Sequence, residues 1–213
     1  GKYIANAGIC SRRKAEELIK NKEVKVNNCI CINPATKINE KDIIKVSNKI
    51  IKINKKIRIW KLYKPVKYIV SNKDEKNRKT VFDLIPKKPP LNYIGRLDKD
   101  TTGIILFTND GKLSDFLTHP RNKISKEYIA ETATRIKDSD VRKIEKGIFI
   151  GSGDRGRAEI LSQKKVKNTF FINMILRQGK KNEIRRIFKF SNIKLISLKR
   201  IKFGEITLGN LNE

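Results

Sequence analysis

Apolar positions near the start of the chain recur in short, separately punctuated sets. Tyr3, Ile4 and Ala7 predict a brief helix ending at Gly8. Ser11 stands where an N-cap belongs, and Ala15, Leu18 and Ile19 form one stripe over Arg12 to Asn21, so a second helix is expected there. Val24 to Val26, the turn pair Asn27-Asn28, Cys29 to Ile32 and Asp42 to Val46 then read as short strands. Ser47 to Lys56 is rich in Lys and Asn with scattered apolar residues. It marks a boundary, giving domains over 1–48 and 58–213 joined by a linker at 49–57.

Past the boundary the pattern turns strand-rich, at Trp60 to Tyr63, Tyr68 to Val70, Ile104 to Thr108, Glu127 to Glu131 and Phe170 to Leu176. Helices are expected between them at Thr80 to Leu84, Gly111 to Thr118, Lys137 to Lys146 and Asn182 to Phe190. The fold class is therefore α+β, a small α/β domain followed by a larger domain with a mixed, largely antiparallel sheet and flanking helices. No G-x-G-x-x-G or G-x-x-x-x-G-K-[ST] run is present, which removes the dinucleotide and P-loop readings. Every apolar run is strand-sized, too short for a membrane-spanning helix.

Charge narrows the partner. The 213 residues hold 50 Lys+Arg against 22 Asp+Glu, a formal +28, and both parts share the surplus. Each phosphate neutralised by such cations releases a condensed counterion, so nucleic acid is the leading partner. An AT-rich coding bias toward Lys, Asn and Ile also inflates Lys, and anionic membrane surfaces attract the same charge. Arg12, Arg13 and Lys14 open the second helix at the positive end of its dipole, a poor position for cations unless they meet phosphate. Cys10, Cys29 and Cys31 are odd in number and lack metal-ligand or redox spacing, which suggests a reducing compartment. The chain shows no signal-peptide anatomy and starts on Gly1 rather than Met, as a trimmed chain would. With His119 the single histidine, chemistry must rest on carboxylate, Tyr, Lys or Arg; no metal or organic cofactor is expected.

The segment Gly95 to Gly111, GRLDKDTTGIILFTNDG, is a polar loop with a carboxylate, Asp98, between Arg96 and Lys99, feeding an apolar strand. Flanking cations would keep that carboxylate ionised and draw phosphate toward it. An Asp in a loop is also an ordinary turn or cap residue, and both readings stand on spacing alone.

Residues 6–28, NAGICSRRKAEELIKNKEVKVNN, with DIIKV at 42–46, resemble the S4-type RNA-binding domain; Asn28 stands where that pattern usually has Gly. GRLDKDTTGIILFTNDG closely resembles the central motif of the RsuA/RluB-type pseudouridine synthases. LYKP (62–65), RKTVFDLIP (78–86), THPRNKISKEYIAE (118–131), QGKKNEIRRIF (178–188) and LKRIKFGEITLGNL (198–211) agree in the same order, over nearly the whole chain. The resemblance implies cofactor-free isomerisation of a uridine in ribosomal RNA, closest to the large-subunit branch, by a monomer acting on RNA or a pre-ribosomal particle. The bacterial cytoplasm, or an organelle of bacterial descent, is the implied location.

Residue by residue, the resemblance makes Asp98 the catalytic nucleophile or base, Tyr128 the aromatic packed on a flipped uracil, and Arg185 the partner of Asp98. Ile184, Leu97 and Arg96 would line the base pocket. Lys126 and Arg186 are expected to contact RNA backbone along with Arg12, Arg13 and Lys14, and His119 before Pro120 to be a turn residue. Three departures stand out. Glu183 replaces the usual Gln and would compete with Asp98 for Arg185. Val66-Lys67 replaces the usual residue-Gly after KP. Gly151 to Arg157 reads as a mobile basic loop. The rival expectations are a non-catalytic RNA-binding or ribosome-assembly protein on this scaffold, and small-subunit ribosomal RNA as substrate. A DNA-binding reading fails for want of a major-groove recognition helix.

Overall fold

The computed structural model describes residues 1–53, 56–72, 74–86 and 90–211, in two compact units centred on Gly1–Ile59 and on the remainder. Positions 54 and 55 of the expected linker lie outside the described residues.

In the first unit, α1 (Lys2–Asn6) and α2 (Arg12–Lys20) precede β1 (Val24–Val26), β2 (Cys29–Ile30), β3 (Ile44–Val46) and β4 (Lys49–Ile51). Ser11 caps α2 as expected, its hydroxyl accepting from the Lys14 N–H at 3.3 Å. The strands form an antiparallel sheet in the order β2-β1-β3-β4. β4 therefore corrects the linker reading at its start: Lys49–Ile51 pairs with Ile44–Val46, and Ile51 joins the buried set of Ile4, Ala15, Ile19, Val24, Ile44 and Val46. Asn27 and Asn28 both adopt left-handed backbone (φ 50 and 67), the conformation of a two-residue hairpin turn, so Asn28 does the work of the usual glycine.

The second unit is an eight-stranded sheet with helices against it. Its elements are β5 (Ile59–Lys64), β6 (Asn92–Ile94), β7 (Thr102–Thr108), α3 (Gly111–Thr118), β8 (Lys126–Thr132), α4 (Asp138–Lys146), β9 (Ile148–Phe149), β10 (Arg155–Gly156), β11 (Glu159–Val166), β12 (Thr169–Leu176), α5 (Glu183–Phe190), β13 (Leu195–Phe203) and β14 (Ile206–Thr207). The order is β11-β12-β8-β13-β7-β5, with β6 on β7 and β14 on β13. β11/β12, β12/β8 and β8/β13 are antiparallel and β13/β7 is parallel, the mixed sheet expected.

β7 lies between β13 and β5, and Gly103 to Thr108 are buried without alternation because both faces are covered. Ile104 and Leu106 pack with Ile94, Phe203 and Leu208. Phe107 meets Phe82 edge-on, at 5.7 Å between ring centroids, from a 3₁₀ turn at Val81–Leu84. Tyr68 to Val70 is not a strand as expected; a single bridge, Ile69 to Thr80, is what forms there. β11 and β13 were not expected. Gly151 to Arg157 is not a free loop: β9 and β10 pair as a hairpin around it, and the Arg186 guanidinium holds it through the carbonyls of Ile150 (2.8 Å) and Gly151 and the Asp154 carboxylate (2.8 Å).

Candidate active site

The loop from Gly95 to Thr101 leads into β7, and its carbonyls are held from several directions. Thr101 N–H closes a turn on the Asp98 carbonyl (3.0 Å), and Lys67 N–H donates to that of Lys99 (3.0 Å). Lys64, fully buried at the end of β5, donates to the carbonyls of Pro65 (2.8 Å), Lys99 (3.2 Å) and Thr101 (2.9 Å). Arg200 of β13, 1% exposed, donates to the Ile104 carbonyl (2.8 Å) and the Arg96 carbonyl (3.4 Å), its guanidinium 5.0 Å from the centre of the Phe203 ring. A loop tied down on both sides presents its side chains in fixed positions.

Asp98 projects from this loop into a cavity of about 280 Å³. Leu97 (6% exposed), Tyr128 (8%) and Ile184 (4%) supply its hydrophobic walls, with Arg96, Lys126 and Arg200 among the polar lining. The structure thus gathers Asp98, Tyr128, Ile184, Leu97, Arg96 and Lys126 around one concavity from the loop, β8 and the start of α5. Tyr128 gets there through the alternation of β8, which turns Tyr128, Ala130 and Thr132 to the buried side.

Arg185 takes a different position from the one expected. It does not line the cavity, and among the described residues it makes no ion pair with Asp98. Its Nη2 donates to the Asp100 carbonyl (2.8 Å) and the Thr101 hydroxyl (3.3 Å), bracing the loop, and its Nε is buried without a hydrogen-bond partner. The group in contact with Asp98 is Asn182. Its side-chain nitrogen donates to both carboxylate oxygens, at 2.7 and 2.8 Å; the reverse orientation would set an amide oxygen against a carboxylate.

Burial pushes the Asp98 carboxyl above the usual carboxylate range, with the charges of Arg185, Arg96 and Lys64 opposing that shift. The flanking cations favour the ionised form as expected, but desolvation is the larger effect on the carboxyl. Burial lowers the Lys64 amine to about 8. It also lowers that of Lys126, with help from Arg200.

Glu183 does not compete for Arg185. Its buried carboxylate accepts from the backbone N–H of Lys180 (3.0 Å) and Arg157 (3.4 Å), and burial raises its pKa against those bonds. Arg186 is spent on the 150–154 hairpin rather than left free for RNA, because its guanidinium finds the Asp154 carboxylate and the carbonyls of Ile150, Gly151 and Lys181 within the protein. Lys126 donates to the carbonyls of Ile124 (3.1 Å) and Gln178 (3.4 Å) on the cavity wall. His119 is the turn residue expected, its Nδ1 accepting from Arg121 N–H at 3.3 Å. Arg12, Arg13 and Lys14 are exposed on the first turn of α2, Lys14 paired with Glu17 at 3.0 Å.

Sequence reasoning missed Asn182, Lys64 and Arg200. Lys64 and Arg200 lie inside the quoted motifs, but their strands carry other lysines, Lys61 in β5 and Lys199 and Lys202 in β13, so nothing in the sequence set them apart; Asn182 gave no signal either.

Comparison with known proteins identifies the family. The family model for RNA pseudouridylate synthase matches residues 58–190, and that for the S4 domain matches residues 2–44. A Bacillus subtilis protein named ribosomal large subunit pseudouridine synthase B is 37% identical over 99% of this chain and 87% of its own length. A Rickettsia felis protein named as an uncharacterized RNA pseudouridine synthase is 37% identical over 99% of this chain and 91% of its own. A crystal structure described as a pseudouridylate synthase shares the fold, with TM-score 0.68 at 24% identity over 100% of this chain and 91% of that one. The chain belongs to the RNA pseudouridylate synthase family, in the arrangement that places an S4 domain ahead of the catalytic domain.

Proposed function

We propose that this protein converts a specific uridine of ribosomal RNA, in the large subunit, to pseudouridine, and that Asp98 starts the reaction. The observation that carries the reading is the convergence of a half-buried carboxylate with Tyr128, Leu97 and Ile184 in a cavity of nucleotide rather than duplex size. The large-subunit assignment rests on the name of the Bacillus subtilis relative.

The net change exchanges the C1′–N1 bond for a C1′–C5 bond. The base turns over within the site, C5 gives up its proton and N1 gains one. A base must leave its stack to reach Asp98, and the wall of Tyr128, Leu97 and Ile184 replaces the stacking it loses while keeping water away. Asp98 acts in its ionised form, which Asn182 and the nearby cations favour against the cost of burial. Arg12 and Arg13 contact the RNA backbone from the S4 domain, and Lys126 does so at the cavity.

The test is carbodiimide-adduct primer extension across unmodified large- and small-subunit ribosomal RNA transcripts and assembly intermediates, incubated with wild type or Asp98→Ala. A single stop in large-subunit RNA that needs wild-type protein is expected. A stop in small-subunit RNA overturns the subunit assignment, and no stop on any substrate overturns the activity in favour of a binding protein.

A further inference from the structure

Asn182 occupies a costly backbone position without making the usual use of it. It is the residue preceding α5, at φ 52 and ψ 32, in the left-handed region. An Asn before a helix ordinarily turns its side-chain oxygen onto a backbone N–H of the first turn. Here that capping bond is not made, and the carboxamide reaches across to both oxygens of Asp98. The segment carrying it is anchored separately: the Glu183 carboxylate holds Lys180 N–H and Arg157 N–H, and the Asn182 carbonyl accepts from Arg186 N–H at 2.9 Å. Backbone strain at one residue, a side chain withheld from its local role, and two short contacts to one carboxylate all point the same way.

We infer that Asn182 is a positioning residue for Asp98, fixing the orientation of the carboxylate and favouring its ionised form through two donated hydrogen bonds. The inference rests on the reading of Asp98 as the reacting group. The charged groups facing Asp98 are Arg185 from α5, Lys64 from β5, and Arg96 and Asp100 from its own loop. The cations act on it through space, whereas Asn182 touches it. Because an amide does not titrate, its contribution is constant across the working pH range.

Asn182→Gly is the appropriate variant, since glycine accepts φ 52 without strain and removes the donors alone. Asn182→His, which tolerates the same backbone and restores an N–H, is the rescue. With unmodified RNA as substrate, Asn182→Gly is expected to lower kcat by about 10- to 100-fold with KM within about twofold, and Asn182→His to recover part of the loss. The acid limb of the pH profile moves to higher pH in Asn182→Gly. Carbon-13 titration of Asp98 in the RNA-free protein gives the second readout, with its pKa rising by about one unit in Asn182→Gly. An unchanged kcat and acid limb, a loss confined to KM, or an unmoved Asp98 titration overturns the assignment. Wild-type protein inactive on every RNA would overturn the proposed function, while the titration still decides the role of Asn182.

Discussion

Gly103 in β7 lies so close to Arg200 in β13 that a β-carbon on it would sit 2.1 Å from the Arg200 carbonyl oxygen and 2.8 Å from its nitrogen. The two residues are register partners in the parallel pairing of the sheet, and Gly103 has φ +101. This contact brings the buried Arg200 guanidinium beneath the loop that carries Asp98.

Gly103→Ala must therefore separate two paired strands, because the obstructing atoms are backbone and cannot rotate away. A loss of about 3–5 kcal/mol is expected, measured by urea unfolding, or no soluble folded protein at all. A variant within about 0.5 kcal/mol of wild type would show that the pairing is looser than described.

Asp98 costs the fold stability at neutral pH. Its carboxyl titrates above the ordinary value of 3.8 because it is buried, so between those two pH values the folded state holds a proton that the unfolded chain has released. Stability relative to Asp98→Asn then falls as pH rises through that window. Asp98→Asn should melt about 2 °C higher than wild type at pH 7 and lose the advantage near pH 3, while activity disappears. A wild type that melts higher at pH 7 would contradict this account.

Lys64→Met removes the donor to three loop carbonyls and should cost about 2–3 kcal/mol with most of the activity. The pH dependence has the opposite sign to that of Asp98. Burial lowers the amine from 10.5 to about 8, so above that pH the folded protein sheds a proton the unfolded chain keeps. The margin of wild type over Lys64→Met should therefore widen between about 8 and 10.5. Paired melts across that range check the sign.

Lys67 holds φ 70 where relatives are expected to carry glycine, and its N–H is committed to the Lys99 carbonyl. Lys67→Gly keeps that hydrogen bond and relieves the left-handed strain, offset in part by the freer unfolded chain. A gain of about 0.5 kcal/mol is expected from denaturant unfolding, with activity unchanged. A destabilised variant would mean that the lysine side chain contributes more than its backbone costs.

Among the basic residues, exposure separates RNA contact from scaffolding. Arg12→Ala with Arg13→Ala should weaken RNA binding and flatten its logarithmic salt slope by about 1.4, near 0.7 per lost phosphate contact on single strands. Arg186→Ala should instead lower the melting temperature and leave the salt slope unchanged, because its guanidinium is engaged by the 150–154 hairpin. Equal salt slopes for the two variants and wild type would remove the S4 helix from the interface.

Elements whose side-chain period is undisturbed are legible in the chain before it folds. The stripe of α2, the inward Tyr128, Ala130 and Thr132 of β8, and the Ile184, Ile187 and Phe188 face of α5 are readable because local geometry alone sets which residues share a face. The sequence also marked the Asp98 loop, through a motif contiguous in the chain. β13 was hidden because register shifts after Leu195 and after Arg200 break its alternation, and β11 because Ser162, Lys164 and Lys165 lie exposed at the sheet edge. The pairing of charges was set by the packing of the fold. Asn182 meets Asp98, Arg185 braces the loop, Glu183 turns to backbone N–H groups, and Arg186 closes a hairpin. Those choices depend on which donors and acceptors burial brings within about 3 Å of one another, a property of packing that residue spacing along the chain does not contain.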